Sequence, residues 1–395
     1  MKPSCKTTYP KNLKTVKKLS AFIILSLLAC SAANGQEQEP TSGAPVRSLV
    51  MSPGDYGSKF YRIPALTQHP DGTIILVADK RIEKFNDLPN KIDVVARRST
   101  DGGRTWGPFI TVAEHDSIGG FGDPAIVTDR RTGDILVISS HGNGLWNNSP
   151  SHTSISRSRD GGITWEAPVD ISSQIFTTDP DGPQPIKLTA AFATSGRALQ
   201  LRDGRIIFAL VTRREGTDPF PCYAIYSDDG GHTWHASRTT ATDDGDESKI
   251  AELPDGTLMM SIRSRFGKTR KFSVSEDRGE TWTELPDHNN LTDIHCNGDF
   301  LSVNYKGKDY LLQSLPAGPD RRDITVYASE DGGLTWPYSH RITEGPGAYS
   351  TMLPMPDGET IGIASEVGCH EADISWAYRI WFQTFPLSAL FKTEK

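Results

Sequence analysis

Three arginines set far apart in the chain stand where strand-like runs meet loops: Arg62 in FYRIP, Arg263 in SIRSR, and one of the adjacent pair Arg321 and Arg322 in GPDRRDI. A guanidinium at the mouth of a strand can cap a sheet through an ion pair or wait for an anion. Three of them brought to one place would hold a planar carboxylate through charge-assisted pairs of hydrogen bonds. Other charged or proton-bearing residues occupy equivalent positions. Arg62 precedes and Arg81 follows the first turn of one unit; Asp123 and His141 bracket the turn of the next; Glu247 and Arg263 bracket a later one; Tyr349 and Glu366 bracket the last. Asp87 lies in the loop FNDLPNKID. Whether these residues act together depends on the elements that carry them.

Those elements repeat. The pattern Ser-x-Asp-x-Gly-x-Thr-Trp occurs five times, as STDGGRTW (99–106), SRDGGITW (158–165), SDDGGHTW (227–234), SEDRGETW (275–282) and SEDGGLTW (329–336). Asp and Gly make the turn, Gly accepting positive φ, while Ser and Asp side chains satisfy the turn's own amides. Thr and Trp begin the returning strand, and Trp packs under its hairpin. A second series of turns precedes these: Asp71-Gly72, Gly133-Asp134, Asp203-Gly204, Asp255-Gly256, Gly307-Lys308 and Asp357-Gly358, each followed by a strand-like run such as TIILVADKR or TLMMSIR. Six first turns and five second turns make six units, the last ending in YRIWFQTF without an octet. The run VRSLVM (46–51) at the other end fills that gap. The expected fold is therefore all-β: a six-bladed β-propeller over residues 45–392, closed by the N- and C-terminal strands, which removes exposed sheet edges.

Counting strands from the axis outward, the first turn joins strands one and two and the octet joins three and four, so both lie on one face. Residues that begin strand one, end strand two or occupy the loop between two and three share the opposite face. Arg62, Arg81, Asp87, Asp123, His141, Glu247, Arg263, Arg321, Arg322, Tyr349 and Glu366 all converge there, at one mouth of the propeller. The octet aspartates lie on the other face and are structural. His141 reads as structural, and Arg97, Arg98, Arg157 and Arg159, alternating along strands, read as a solvated face.

Composition bounds the rest. The chain has 395 residues, 36% hydrophobic and 23% charged, with 36 Gly and 26 Pro, in keeping with a globular chain rich in turns. Residues 1–30 read as a signal peptide: six lysines without an acid, the apolar run LSAFIILSLLAC, then small residues. LLAC resembles a lipoprotein box that would make Cys30 a lipidated first residue; plain cleavage after SAANG is the alternative. The apolar run is too short for a membrane span. Residues 31–44 read as a linker. Loss of the leader leaves 36 basic against 49 acidic residues, net −13, which argues against nucleic acid as a partner. Cys222, Cys296 and Cys369 are odd in number and far apart, with neither metal spacing nor a disulfide framework; buried thiols are expected, with one pair joined as the alternative. No metal motif or phosphate loop is present, and no cofactor is expected.

With YRIP, the five octets, DESKIAELPDG…SIR, GPDRRDI and GPGAYS…IASE in place, the sequence resembles the bacterial sialidase (neuraminidase) family over the whole mature chain. The resemblance implies an exo-α-sialidase that removes terminal sialic acid from glycoproteins, glycolipids and oligosaccharides with retention. It implies that Arg62, Arg263 and Arg321 grip the sugar carboxylate, with Arg322 the rival for the third place, and that Glu366 braces Arg62. Tyr349 matches the nucleophile, Glu247 its base partner and Asp87 the acid/base. Arg81 and Asp123 match positions near the O4 and N-acetyl side. The segment DIHCNGDF (293–300) departs from the family's local pattern. Sialylated glycans are the expected partners, a monomer the expected state, and the periplasm, the outer membrane as a lipoprotein, or the medium the expected location. The alternatives are a non-catalytic propeller that binds sialoglycans or proteins through the same face, and a trans-sialidase or intramolecular release, which depends on aromatic acceptor platforms near the site, where the sequence alone does not place Trp146 or Phe220.

Overall fold

The computed structural model describes residues 45–145, 151–175, 188–214, 220–287, 289–369 and 377–392. The leader, the linker, Cys30 and Trp146 lie outside the described residues.

Six antiparallel sheets follow one another along the chain as the blades of a six-bladed β-propeller. Blade one is Phe60–Gln68, Ile74–Arg81, Ile92–Ser99 and Ile110–Ala113 from the axis outward. Blade six is Gly347–Pro354, Thr360–Gly368, Tyr378–Pro386 and, as its outermost strand, Arg47–Met51 from the other end of the chain. Arg47 pairs with Gln383 and Leu49 with Trp381, so the ring closes as the repeat predicts. Blade three departs from it. Its inner strand Leu188–Ala193 breaks, Gly196–Arg197 pairs in parallel with blade two, and Leu199–Gln200 returns to blade three. Thr194 holds the break by donating to both Ala209 O (3.1 Å) and Ser248 O (2.6 Å).

Apolar residues from facing sheets fill the space between blades. Leu136, Ile138, Phe208, Leu210 and Trp234 join blades two and three, and Leu66, Leu76, Ile380 and Phe382 join blades one and six. The octets carry a second set of ties. In each, the aspartate closes its own turn: Asp277 accepts from Thr281 N at 2.8 Å, Thr281 Oγ1 at 2.6 Å and Ser275 Oγ at 2.9 Å. Gly103 has φ +88 and a Cβ there would collide with the Phe382 ring of blade six. The neighbouring blade then grips the octet backbone: Arg98 Nε donates to Gly161 O (2.8 Å), Arg157 Nη2 to Gly230 O (2.8 Å) and Arg205 Nη1 to Arg278 O (2.9 Å). The expectation of a solvated face for Arg97, Arg98 and Arg157 is thereby corrected. Arg157 is 7% exposed, and Arg97 donates to the carbonyls of Val50, Trp106 and Gly107. Only Arg159 of the four is exposed. The alternation is real, but the next blade covers that face, and five N–H donors suit orphan turn carbonyls.

Cys222, Cys296 and Cys369 are buried, and no disulfide joins any pair of them. His141 stacks on Phe121 at 3.9 Å and pairs with Asp116, a structural arrangement. No helix among the described residues is long and apolar enough to cross a membrane.

The octet aspartates set an acid limit. At Asp160 slight burial raises the pKa, but hydrogen bonds from Thr164, Ser158 and Ile163 outweigh it and bring it from 3.8 to about 2. A carboxylate depressed on folding stabilises the fold above its unfolded pKa and loses that contribution as pH falls through the folded one. Asp101, Asp229, Asp277 and Asp331 are depressed likewise. The urea midpoint is accordingly expected to fall between about pH 4 and pH 2. Asp277→Ala should lower stability by about 1–2 kcal/mol without changing turnover, since it lies away from the mouth that carries Arg62 and Tyr349.

Candidate active site

The inner strands of blades one, two and six each slip register near one end: between Arg62 and Ala65, Gly122 and Ala125, and Gly347 and Ser350. Ile63 and Asp123 sit at these bulges with φ of +61 and +55. A β-branched residue before proline resists that conformation. At Ile63 it is held by the N–H, which donates to Glu366 Oε1 at 2.7 Å. The bulges turn Arg62, Asp123 and Tyr349 out of the regular alternation and into the mouth of the ring.

There an open cavity is lined by Arg62, Asp87, Asp123, Glu247, Arg263, Arg321 and Tyr349, with Leu88, Leu145, Phe192 and Asp246. Thus seven residues singled out from sequence meet on one wall-to-wall surface. Arg81 and Glu366 stand behind it.

Arg62 is 5% exposed and its Nε donates to Glu366 Oε1 at 2.7 Å. The other Glu366 oxygen accepts Tyr349 N at 3.1 Å, so one buried carboxylate fixes both residues. The rings of Phe85, Tyr349 and Tyr378 each lie 5.1 Å from the Arg62 guanidinium carbon. Burial opposes the Arg62 charge, but Glu366 more than offsets it. Arg321 lies 5.5 Å from the Tyr349 ring and donates to His295 O at 3.0 Å. Arg322 instead pairs with Asp320 at 3.1 Å, and of the two it is Arg321 that lines the cavity. The divergent segment DIHCNGDF builds this corner: Asp293 accepts the amides of Ser264 and His295 at 2.8 Å, and His295 at φ +58 presents its carbonyl to Arg321.

Glu247 is 3% exposed. Its Oε2 accepts the Tyr349 hydroxyl at 2.7 Å and Arg263 Nη1 at 2.5 Å, and Arg263 Nη1 also reaches the Tyr349 oxygen at 3.3 Å. Burial first, then the Glu247 charge, push the Tyr349 phenol well above its ordinary value. The phenol is therefore neutral at rest and hydrogen-bonded to a buried carboxylate.

Asp87 is held by Arg81 Nη2 at 2.6 Å, and its side chain is 61% exposed. What burial it has raises its pKa, but the charges of Arg81, Arg62 and Arg321 outweigh that and hold it below the ordinary value. Arg81 itself is 1% exposed and shared with Asp79, whose Oδ2 accepts Nε at 3.1 Å and Nη2 at 2.9 Å. Arg81 thus reaches the cavity only through Asp87. Asp123 does face it. Burial, then the charges of Asp79 and Asp87, push its carboxyl well above the ordinary carboxylate range. Asp79 is raised by burial as well, to about 6, while it holds the Arg81 guanidinium and accepts the Asp123 N–H at 3.0 Å.

A protein-family model described as "BNR repeat-like domain" matches residues 87–363. The solved structure of the Hadza microbial sialidase Hz136 is 33% identical, with a TM-score of 0.76, over 87% of this chain and 69% of that one. The chain belongs to the bacterial sialidase family. A sialidase of Micromonospora viridifaciens is 32% identical over 91% of this chain and 59% of its own length. A sialidase of Bacteroides fragilis (strain YCH46) is 32% identical over 86% and 65% respectively. The chain thus spans between 59% and 65% of the length of these two sialidases.

Further residues of this sialidase-family site were not singled out from sequence: Asp79, Asp246, Phe85 and Tyr378, together with the apolar lining residues Leu88, Leu145 and Phe192. Asp79 had a signal, an acid two residues before Arg81 and so on the same face of an apolar strand. Phe85 and Tyr378 come from a loop and an outer strand, and nothing in their spacing marks them. Phe220 lies against Arg265 at 3.9 Å rather than in the cavity.

Proposed function

We propose that the protein is an exo-α-sialidase that hydrolyses terminal sialic acid from glycoproteins, glycolipids and oligosaccharides with net retention through a tyrosine nucleophile. The observation that carries this reading is the 2.7 Å hydrogen bond from Tyr349 to buried Glu247, set beneath three cavity-facing arginines.

The sugar's anomeric carbon bears a carboxylate, which would repel a carboxylate nucleophile; a neutral phenol meets no such repulsion. Arg62, Arg263 and Arg321 hold the sugar carboxylate and fix the ring. As Tyr349 Oη bonds to the anomeric carbon, its proton passes to Glu247 Oε2, and Asp87 gives its proton to the departing glycosidic oxygen. Asp87 then takes a proton from water, whose oxygen attacks the same carbon, and Tyr349 leaves with the proton returned by Glu247. Two displacements at one centre give retention. Asp87 is ionised in the free enzyme, because three arginines hold its pKa low. The substrate carboxylate cancels much of the field of Arg62 and Arg321, so binding itself raises the proton affinity of the acid. Arg81 aims Asp87, and Asp123 faces the O4 and N-acetyl side. A binding module would need the arginines but not the Tyr349–Glu247–Asp87 set.

Release of free sialic acid from a fluorogenic sialoside, with the α anomer appearing first by NMR, tests the reading; absence of release would refute it, and an anhydro or transferred product would point to transfer. Asp87→Asn is expected to lower kcat on an alkyl or sugar sialoside by about 10²–10⁴-fold, and far less on an aryl sialoside whose leaving group needs no proton. Equal losses on both would remove Asp87 from the acid role. Export of a monomer, with or without acylation at Cys30, is part of the same proposal; mass spectrometry of the mature N-terminus distinguishes the two forms.

A further inference from the structure

Lys249 is a buried cation that the reaction above leaves unused. It follows Glu247 by two residues into the inner strand Ser248–Glu252 and is 1% exposed. Its Nζ donates to Asn297 Oδ1 at 2.9 Å and Ser248 O at 3.3 Å. Among the described residues, no carboxylate stands within ion-pair distance of it. The fold makes room for it: Gly196 has φ +108, and a Cβ there would lie 2.8 Å from Lys249 Cε. Asp299 and Glu247 favour the charge, Arg270 and Arg197 oppose it, and burial, the largest effect, brings the ammonium down to about 8. It carries its charge through the acid range. An ammonium kept in the interior on neutral partners is costly.

A hydrogen-bonded chain runs from this ammonium to the nucleophile. Asn297 Nδ2 donates to Ser195 Oγ at 3.0 Å, Ser195 Oγ donates to Glu247 Oε1 at 3.4 Å, and Tyr349 donates to Glu247 Oε2 at 2.7 Å. The two oxygens of Glu247 therefore have different neighbours. Oε2 carries Tyr349 and Arg263, while Oε1 faces the Lys249 side.

The difference matters once substrate binds. Arg263 is the ion partner of Glu247, yet it is also one of the three arginines that receive the substrate carboxylate. That carboxylate cancels much of the Arg263 field at Glu247 and adds repulsion of its own. Asp246, Asp123 and the Cys296 thiol also face Glu247 and bring no positive charge; Arg270 reaches only its backbone carbonyl, at 3.3 Å. Left to these neighbours, the Glu247 carboxylate would stand in the complex among groups of its own sign or of none. Lys249 is not part of the cavity wall, so the substrate does not neutralise it. The geometry points to Lys249 as a positioning residue that keeps Glu247 ionised in the substrate complex, its charge delivered through Asn297 and Ser195. The inference rests on the assignment of Glu247 as the base of Tyr349.

The acid limb of kcat reports ionisation in the substrate complex, and that of kcat/KM reports the free enzyme. Lys249→Met removes the charge while keeping the length. Asn297→Asp leaves the lysine in place and neutralises it with an adjacent carboxylate. Both are expected to move the acid limb of kcat up by about one pH unit, roughly a tenfold loss below the limb, and to move that of kcat/KM by less. If only one variant folds, that one decides. An unshifted kcat limb in a folded variant, beside a wild type that releases sialic acid, overturns the role of Lys249 and leaves the sialidase reading intact. Failure of the wild type to release sialic acid overturns both.

Discussion

Replacing Tyr349 with phenylalanine is expected to lower kcat on a sialoside by about 10³-fold or more while KM changes little. The change deletes one oxygen and leaves the carboxylate grip untouched, because Arg62 is held by Glu366 and Arg321 by the His295 carbonyl. Glu247 keeps its ion pair with Arg263 and loses only the phenol. The loss should therefore fall on the chemical step. A second readout separates loss of chemistry from loss of fold: a non-hydrolysable sialic acid analogue should bind the variant about as tightly as it binds the wild type. Undiminished turnover would remove Tyr349 from the bond-forming role and return Glu247 and Asp87 to consideration as a simple carboxylate pair.

Glu366→Ala should be the most damaging substitution for stability. Glu366 is fully buried, and its two oxygens hold the Arg62 guanidinium, the Ile63 amide and the Tyr349 amide. Its removal leaves a guanidinium in the interior without a counter-charge and two backbone donors without acceptors. Breaking a buried ion pair from one side costs about 3–5 kcal/mol. The expected result is a large fall in the urea midpoint, together with a rise in KM, since the bulge at Ile63 then lacks its anchor. Glu366→Gln should recover part of both, because an amide oxygen still accepts one of these donors. A wild-type midpoint for the alanine variant would show that the aromatic rings around Arg62 suffice to hold it.

The ring was legible because its punctuation is chemical. Asp and Gly recur wherever a turn needs an acceptor and a positive φ, and the spacing of those turns fixes which strand ends share a face. That alone places Arg62, Asp87, Asp123, Glu247, Arg263, Arg321 and Tyr349 at one mouth, where the cavity lies. What spacing does not carry is contact between blades. Arg157 alternates like a surface residue and is buried by a neighbour more than seventy positions on, at Gly230. Arg321 and Arg322 are adjacent, and the carbonyl of His295 and the carboxylate of Asp320 draw them to different places. The bulge at Ile63 runs against local preference for a β-branched residue before proline. It exists because Glu366, some three hundred positions away, accepts its amide. Blade three broke the repeat for a similar reason, through Thr194 bridging to blade four.

Arg47–Met51 completes the sheet whose other strands end at Pro386. A ribosome makes these two partners at opposite ends of its work. The first strand synthesised waits, with its hydrogen-bonding groups open, until the last hairpin has emerged, so the circle cannot lock while the chain is still growing. Contacts of such long sequence separation form slowly. A proteolytic cut that removes Arg47–Met51 would accordingly leave the mouth residues in the polypeptide and the clasp undone, and inactivation by trimming at that end should track loss of the closed ring rather than loss of any group that touches the sugar.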